Sequence, residues 1–337
     1  MRLDIALKDY VTAHEIDNCS EHTIREQRRL LLAFLAWLRS EHNVTDTDDL
    51  RVTHLRGWIA YLQKKPHKNH QDKGLKDSTV YQYGRILQTF CHWLEHEEII
   101  EKPISTRFKL PKMEKQFIPT FTPDDVQKLL AACEAKYQHK PELNKALTAR
   151  NRAMVSVMLD TGIRRSELAG LRLCDIDREL RLLVVHRKGN KWQQVPISRD
   201  GFKSLHEYLT KYRPHLSKIA GITKARKEDR VFLTAYGEPL TVGGVSCFFT
   251  NLQRKAGIDG KVVSPHNCRR YMATTQLAMG RSPLDVQRQM GHTTLNMTNR
   301  YASLTTEQLQ RSHEEFSPLR AKGTNDFKHM GSGYWEE

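Results

Sequence analysis

Apolar residues recur at helical spacing through the first hundred positions. In "SEHTIREQRRLLLAFLAWL", Ile24, Leu31, Phe34, Leu35 and Leu38 form one stripe behind Ser20, a side chain suited to cap a helix start. A second stretch, "STVYQYGRILQTFCHWL", repeats the first at a constant offset of 56 positions. Thr79, Arg85, Leu87, Phe90, Trp93 and Leu94 stand where the first has Thr23, Arg29, Leu31, Phe34, Trp37 and Leu38. Two copies fall short of the roughly three that a solenoid needs. They read as similar helices of one small bundle, with "DDLRVTHLRGWIAYLQKK" supplying another between them. Arg25, Arg28, Arg29 and Arg85 fall on the polar faces, as a solvated surface or as contacts to a polyanion.

The helical period stops in "EKPISTRFKLPKMEKQFIPT". Pro103, Pro111 and Pro119 restrict themselves and their predecessors, so residues 103–120 are expected as an extended linker between a helical domain, 1–102, and a second domain. The linker is basic, and Lys109 and Lys112 join the candidate polyanion contacts. "FTPDDVQKLLAAC" then opens the second domain with Thr122 as cap, Pro123 at the first helical position and Asp125 placed for a capping box. Helices dominate from there, with one exception. "LLVVHRKGNKWQQVPI" is two β-rich runs around Gly189-Asn190, a hairpin signal. The expected fold class is therefore mainly α with a small β-sheet.

Charge narrows the function. The chain of 337 residues has 54 Lys+Arg against 39 Asp+Glu, a formal net charge of +15, which favours a nucleic-acid partner by steering and counterion release. Apolar residues at 39% are enough for real cores, which argues against a disordered chain. No run approaches the ~20 apolar residues of a membrane helix. "MRLDIALKDY" has acids and no apolar segment, so no secretory signal and no membrane partner are expected, and the location is read as cytoplasmic. The six scattered cysteines, without a C-x-x-C pair, read as reduced and mostly buried thiols. His67 and His70 lie in a polar stretch expected as a solvated loop, so neither a metal nor a cofactor is expected.

Four stretches of the second domain carry candidate chemistry. "DTGIRRSELAGL" places two arginines at the start of an apolar-periodic helix, just after Gly162. "RKGNK" puts Lys188 and Lys191 at the hairpin tip. "SPHNCRRYMATTQ" sets His266 one helical turn before Arg269. "GHTTLNMTNRY" holds His292 and, nine positions on, Tyr301. Such a set suits a phosphodiester. Two guanidiniums can clamp the non-bridging oxygens, a lysine can protonate a leaving alkoxide, and a tyrosine can attack to give a covalent phosphoester. Each stretch alone has a plainer reading as solvated or packed side chains.

In this order, the motifs resemble those of the tyrosine recombinase (phage integrase) family. The family pattern runs G-[apolar]-R-x-x-E-L, a hairpin lysine in G-K-G-x-K, H-x-x-R, L-G-H, and a nucleophilic tyrosine about nine residues later. This chain has "GIRRSEL", "RKGNKWQQVP", "HNCRR", "MGH" and "NRY", so the resemblance covers residues 120 to 305. The helical N-terminal region also looks like the family's core-binding domain. By that resemblance Arg164 and Arg269 clamp the phosphate, Lys188 is the general acid, His266 and His292 assist at the phosphate, and Tyr301 attacks. Glu167 matches an acid that supports the first arginine. Arg165 is only a neighbour, since the family arginine directly follows the apolar residue after glycine. Cys268, Arg270 and Met290 depart from the usual residues beside catalytic positions.

The resemblance implies a two-domain DNA clamp, with a core-binding domain (1–102), a catalytic domain (121–304), and a C-terminal helix and tail (305–337) docking on a neighbouring protomer. It implies a site-specific enzyme that cuts and rejoins double-stranded DNA at core sites through a 3′-phosphotyrosyl intermediate, as a homotetramer, without a separate arm-binding domain. Integration or transposition of a mobile genetic element is the expected task. The alternatives are an Xer-type dimer resolvase, a type IB topoisomerase-like relaxing enzyme, and a DNA-binding regulator with a decayed site. The complete residue set argues against the last.

Overall fold

A computed structural model describes residues 1–67, 70–111, 119–187, 191–219, 229–291 and Glu314. The chain divides into two compact units, Met1–Phe117 and Ile118–Glu337.

The first unit is a helical bundle of α1 (Leu3–Ile16), α2 (Glu21–His42), α3 (Val52–Lys64) and α4 (Asp77–His96). Ser20 caps α2 as its position suggests, its Oγ accepting from the Thr23 N–H at 3.3 Å. The repeat at offset 56 has a packing cause. Leu31, Phe34 and Leu38 of α2 and their counterparts Leu87, Phe90 and Leu94 of α4 are all buried in one core, with Tyr10 and Trp58. Each helix turns the same stripe inward.

Two stretches differ from expectation. The polar loop around His67 and His70 is a short antiparallel hairpin, β1 (Pro66–His67) with β2 (His70–Gly74). Backbone groups of adjacent extended segments pair whatever the polarity of their side chains. Residues 103–111 also pack onto the bundle, burying Ile104 and Phe108 in its core. The Glu95 carboxylate accepts from the Ile104 and Ser105 N–H groups, each at 2.6 Å, and from Ser105 Oγ at 2.6 Å. A stretch without helical period thus has its backbone donors satisfied by a helix side chain. Lys109 remains exposed, and Lys112 lies outside the described residues.

The second unit runs α5 (Pro123–Ala132), α6 (Pro141–Thr161), α7 (Arg165–Gly170), a three-stranded antiparallel sheet of β3 (Ile176–Asp177), β4 (Leu182–Arg187) and β5 (Lys191–Pro196), then α8 (Arg199–Glu207), α9 (Arg213–Ile219), α10 (Val242–Ala256), α11 (Pro265–Ala278) and α12 (Pro283–Met290). The capping box at the start of α5 forms in both directions, between Thr122 and Asp125. The expected hairpin pairs from Leu182↔Pro196 to Arg187↔Lys191. Ala153, Met154, Val155, Val157 and Met158 are wholly buried, which makes α6 the centre of this core.

Cys91, Cys133 and Cys268 are buried, whereas Cys174 and Cys247 are exposed and Cys19 is half-buried, so fewer thiols are inside than expected. Cys174 and Cys247 sit on outward faces, where a small residue has no core to join. Among the described residues no helix is long and apolar enough to cross a membrane, and no group of three or more His, Cys, Asp or Glu side chains could hold a metal ion.

Candidate active site

The site begins where α6 stops. Gly162 takes the left-handed conformation, φ +64, and an added Cβ would fall 2.2 Å from the Met272 methyl carbon. The left-handed turn favours glycine, and a side chain there would also displace the Met272 methyl. The turn delivers Arg164 to the cap position of α7, three residues before Glu167.

Glu167 is the buried centre of the arrangement. Its Oε2 accepts from the Arg164 backbone N–H at 2.8 Å, and its Oε1 from Arg164 Nη1 at 2.8 Å. The Glu167 side chain is 2% exposed and that of Arg164 39%. The carboxylate therefore holds one edge of the guanidinium from inside and leaves the rest of it accessible. A buried carboxylate needs such partners, because desolvation otherwise costs several kcal/mol, on the order of what burying any lone ion costs.

Arg269 comes from α11. Ser264 caps that helix through the Asn267 N–H at 3.2 Å, and Pro265 occupies its first position, so His266 and Arg269 lie one turn apart. Arg269 is buried. Its Nη1 donates to the Gly162 carbonyl at 2.5 Å and its Nη2 to the Met290 carbonyl. His266 is exposed at the same end of the helix. Partial desolvation, then the charges of Arg269 and Arg270, hold its pKa below the ordinary histidine value. Both causes favour the neutral ring, the form able to accept a proton. An NMR titration of labelled histidine is expected to give His266 a midpoint below about 6.5, and Arg270→Ala is expected to move it upward. A midpoint at or above 6.5 would contradict this electrostatic environment.

The last turn of α12 closes the site. Helix ends leave carbonyls without intrahelical partners and carry partial negative charge. Arg269 meets the Met290 carbonyl, and Arg164 Nη2 lies 3.5 Å from that of Gly291. A third guanidinium, Arg187 at the end of β4, donates to the Gln289 and Met290 carbonyls at 2.6 Å each and sits 3.5 Å from Glu167 Oε1.

The structure thus brings Arg164, Glu167 and Arg269 to one place, Arg164 on Glu167 and the Gly291 carbonyl and Arg269 on the neighbouring Met290 carbonyl, with His266 on the turn beside Arg269. Lys188, His292 and Tyr301 lie outside the described residues; His292 directly follows Gly291 in the chain. Arg165 donates instead to Ser246 Oγ on α10 at 3.0 Å. Tyr271 packs against Phe121, ring centroids 6.2 Å apart. In the first unit, Arg25 and Arg29 form exposed ion pairs with Glu21 and Glu26, and Arg28 and Arg85 are exposed.

Arg187 escaped the sequence reading. The family pattern has glycine where it stands, next to the lysine, so the motif drew no attention to it. Strand alternation did hold a signal. Leu183 and Val185 face inward, and Arg187 two positions on shares their face and is buried. A charge on the buried face of a strand is a reason to look for its partners.

Residues 119–308 match the family described as the phage integrase family. A tyrosine recombinase XerD of Listeria innocua is 26% identical over 89% of this chain and 93% of its own length. A tyrosine recombinase XerC of Pediococcus pentosaceus is 28% identical over 94% of this chain and 98% of its own length. Among solved structures, the Tn1549 transposon integrase in complex with transposon right end DNA aligns with a TM-score of 0.68 at 18% identity, over 94% of this chain and 99% of that one. A lambda integrase dimer bound to a COC′ core site aligns with a TM-score of 0.65 at 17% identity, over 89% and 95%. These likenesses are to the fold.

Proposed function

The chain belongs to the phage integrase family of tyrosine recombinases, enzymes that cleave and rejoin DNA, and from that premise we propose that it exchanges strands between two DNA duplexes at specific core sites through a 3′-phosphotyrosyl intermediate. The observation that carries this reading is the junction of Arg164, Glu167 and Arg269 on the last turn of α12, immediately before His292.

In the proposed reaction, Arg164 and Arg269 bind the non-bridging oxygens of the scissile phosphate, where negative charge grows in the transition state. His266 and His292 add hydrogen bonds. The Tyr301 oxygen attacks phosphorus, and its phenolic proton passes to neutral His266. The bond from phosphorus to the 5′-oxygen breaks, and that oxygen takes a proton from the Lys188 ammonium group. A phosphotyrosine ester and a free 5′-hydroxyl result. Attack by the 5′-hydroxyl of the partner duplex reverses these steps, so rejoining needs no nucleotide energy source. The net charge of +15 suits double-stranded DNA as the partner. Exposed Arg25, Arg28, Arg29, Arg85 and Lys109, with Lys112, are the proposed backbone contacts. Four protomers would hold the two duplexes, and residues 305–337 would dock between them.

For the biological task, integration and excision of a mobile element is one reading. Resolution of chromosome or plasmid dimers is the second, favoured by relatives named XerD and XerC that match nearly the whole chain. The test of the common function incubates the purified protein with two duplexes of different length that share a candidate core site. Hybrid products are expected. Relaxation of a supercoiled plasmid without hybrids would assign a type IB topoisomerase-like activity instead. Supplying the ends of a circularised element or a pair of chromosomal sites as substrate then separates the two tasks.

A further inference from the structure

We propose that Arg187 is a positioning residue for cleavage: it couples the two phosphate-binding arginines, Arg164 and Arg269, by sharing an acceptor with each. The proposal rests on the reading of those two arginines given above.

The sharing is geometric. Arg187 Nη1 lies 2.6 Å from the Met290 carbonyl and 3.5 Å from Glu167 Oε1. The same Glu167 oxygen accepts from Arg164 Nη1 at 2.8 Å, and the same Met290 carbonyl accepts from Arg269 Nη2. One unbroken chain therefore runs from Arg164 through Glu167, Arg187 and Met290 to Arg269. Arg187 Nη2 adds the Gln289 carbonyl at 2.6 Å. Every link inside this chain is buried: Glu167, Arg187, Met290 and Arg269 are all below a tenth exposed, whereas Arg164 is open to a ligand. Arg187 itself is too deep to touch DNA, so it can act only through its neighbours.

Gly291 shows how closely the pieces fit. It ends α12 with φ +60, and a Cβ there would lie 2.7 to 2.9 Å from Arg187 Cδ, Nε and Cζ. The absent side chain lets the helix end lie against the guanidinium. Charge explains why an arginine serves. Without Arg187, the buried Glu167 carboxylate would face Arg164 alone, and nothing would tie it to the carbonyl that holds Arg269. A third, planar guanidinium can satisfy the carboxylate and two carbonyls at once, in fixed directions. A lysine at 187 keeps the charge but offers one compact donor group that cannot span all three acceptors.

The test compares single-turnover cleavage by full-length protein at saturating DNA. Each variant acts on three suicide substrates: a normal phosphodiester, a methylphosphonate with one non-bridging oxygen replaced by methyl, and a substrate with sulfur as the bridging 5′ atom. Arg187→Lys is expected to slow phosphodiester cleavage about 10–100-fold, the scale of an ångström-sized misplacement, with DNA affinity unchanged. Its loss should be much smaller on the methylphosphonate, where less charge builds up on the non-bridging oxygens. Sulfur should give no relief. Glu167→Gln, which weakens the same chain at its other link, should show the same pattern.

Each ratio is taken on one preparation, so a partly unfolded variant lowers all three rates alike. Equal losses on phosphodiester and methylphosphonate mark a merely structural role and overturn the proposal. Relief by sulfur also overturns it, because Arg187 would then act through the leaving-group acid. Should Arg187→Lys fail to fold, Arg187→Gln decides by the same criteria, because Glu167 also acts on Arg164 directly. Arg164→Ala separates the two levels. If methylphosphonate does not relieve Arg164→Ala, the reading of Arg164 falls; if it relieves Arg164→Ala but not Arg187→Lys, only the coupling falls.

Discussion

Tyr301→Phe is expected to bind DNA as the parent does and to form no covalent adduct with it. The substitution removes one oxygen and keeps the ring, so packing and charge stay nearly the same. A phenyl group has no nucleophile, and the reaction has no route to the phosphoester without one. The effect should therefore be a loss of capture and not a slower capture. The measurement uses a duplex nicked close to the cleavage position, so that a short fragment diffuses away and traps the covalent protein. A denaturing gel then separates the adduct from free DNA. An adduct that persists in Tyr301→Phe would move the nucleophile elsewhere. Tyr271 would be tried next, although it packs against Phe121 on the helix that carries Arg269.

Arg164→Lys should behave very differently from Arg165→Lys. Arg164 is held by a buried carboxylate at its backbone and at Nη1, and the rest of its planar fork is exposed. A lysine keeps the charge but cannot hold Glu167 with one edge while presenting a second edge to phosphate. Loss of a well-placed oxyanion donor typically costs ~10²–10³ in rate. Among the described residues Arg165 reaches the Ser246 hydroxyl from an exposed position, where substitutions are usually within about 0.5 kcal/mol of neutral. Single-turnover cleavage of the same nicked duplex ranks the two. Faster cleavage by Arg164→Lys than by Arg165→Lys would transfer the role to Arg165.

Local patterns were legible before any fold was known. The inward stripes of α2 and α4, the cap at Ser20, the capping box at Thr122 and Asp125, and the pairing of β4 with β5 all depend on residues within a few positions of one another, or on a simple period. Hydrophobic spacing and cap chemistry report such features directly. The resemblance to the family's motifs also implied Arg164 over Arg165, with Glu167 as its support, and Glu167 does hold the Arg164 backbone and guanidinium.

Contacts over long stretches of chain were not legible. Residues 103–111 have no helical period and three nearby prolines, so they read as a linker; only the folded bundle offers the Glu95 carboxylate and the pocket for Ile104 and Phe108. Arg187 meets Gln289 and Met290 more than a hundred positions away, and Arg269 meets Gly162 at a similar separation. Composition and motif supplied the candidate residue types of the site. Tertiary structure alone decided that three guanidiniums meet the carbonyls of a single helix end while one carboxylate receives two of them, because a hydrogen bond is fixed by distance and direction in space, and neither is written in the spacing of distant residues.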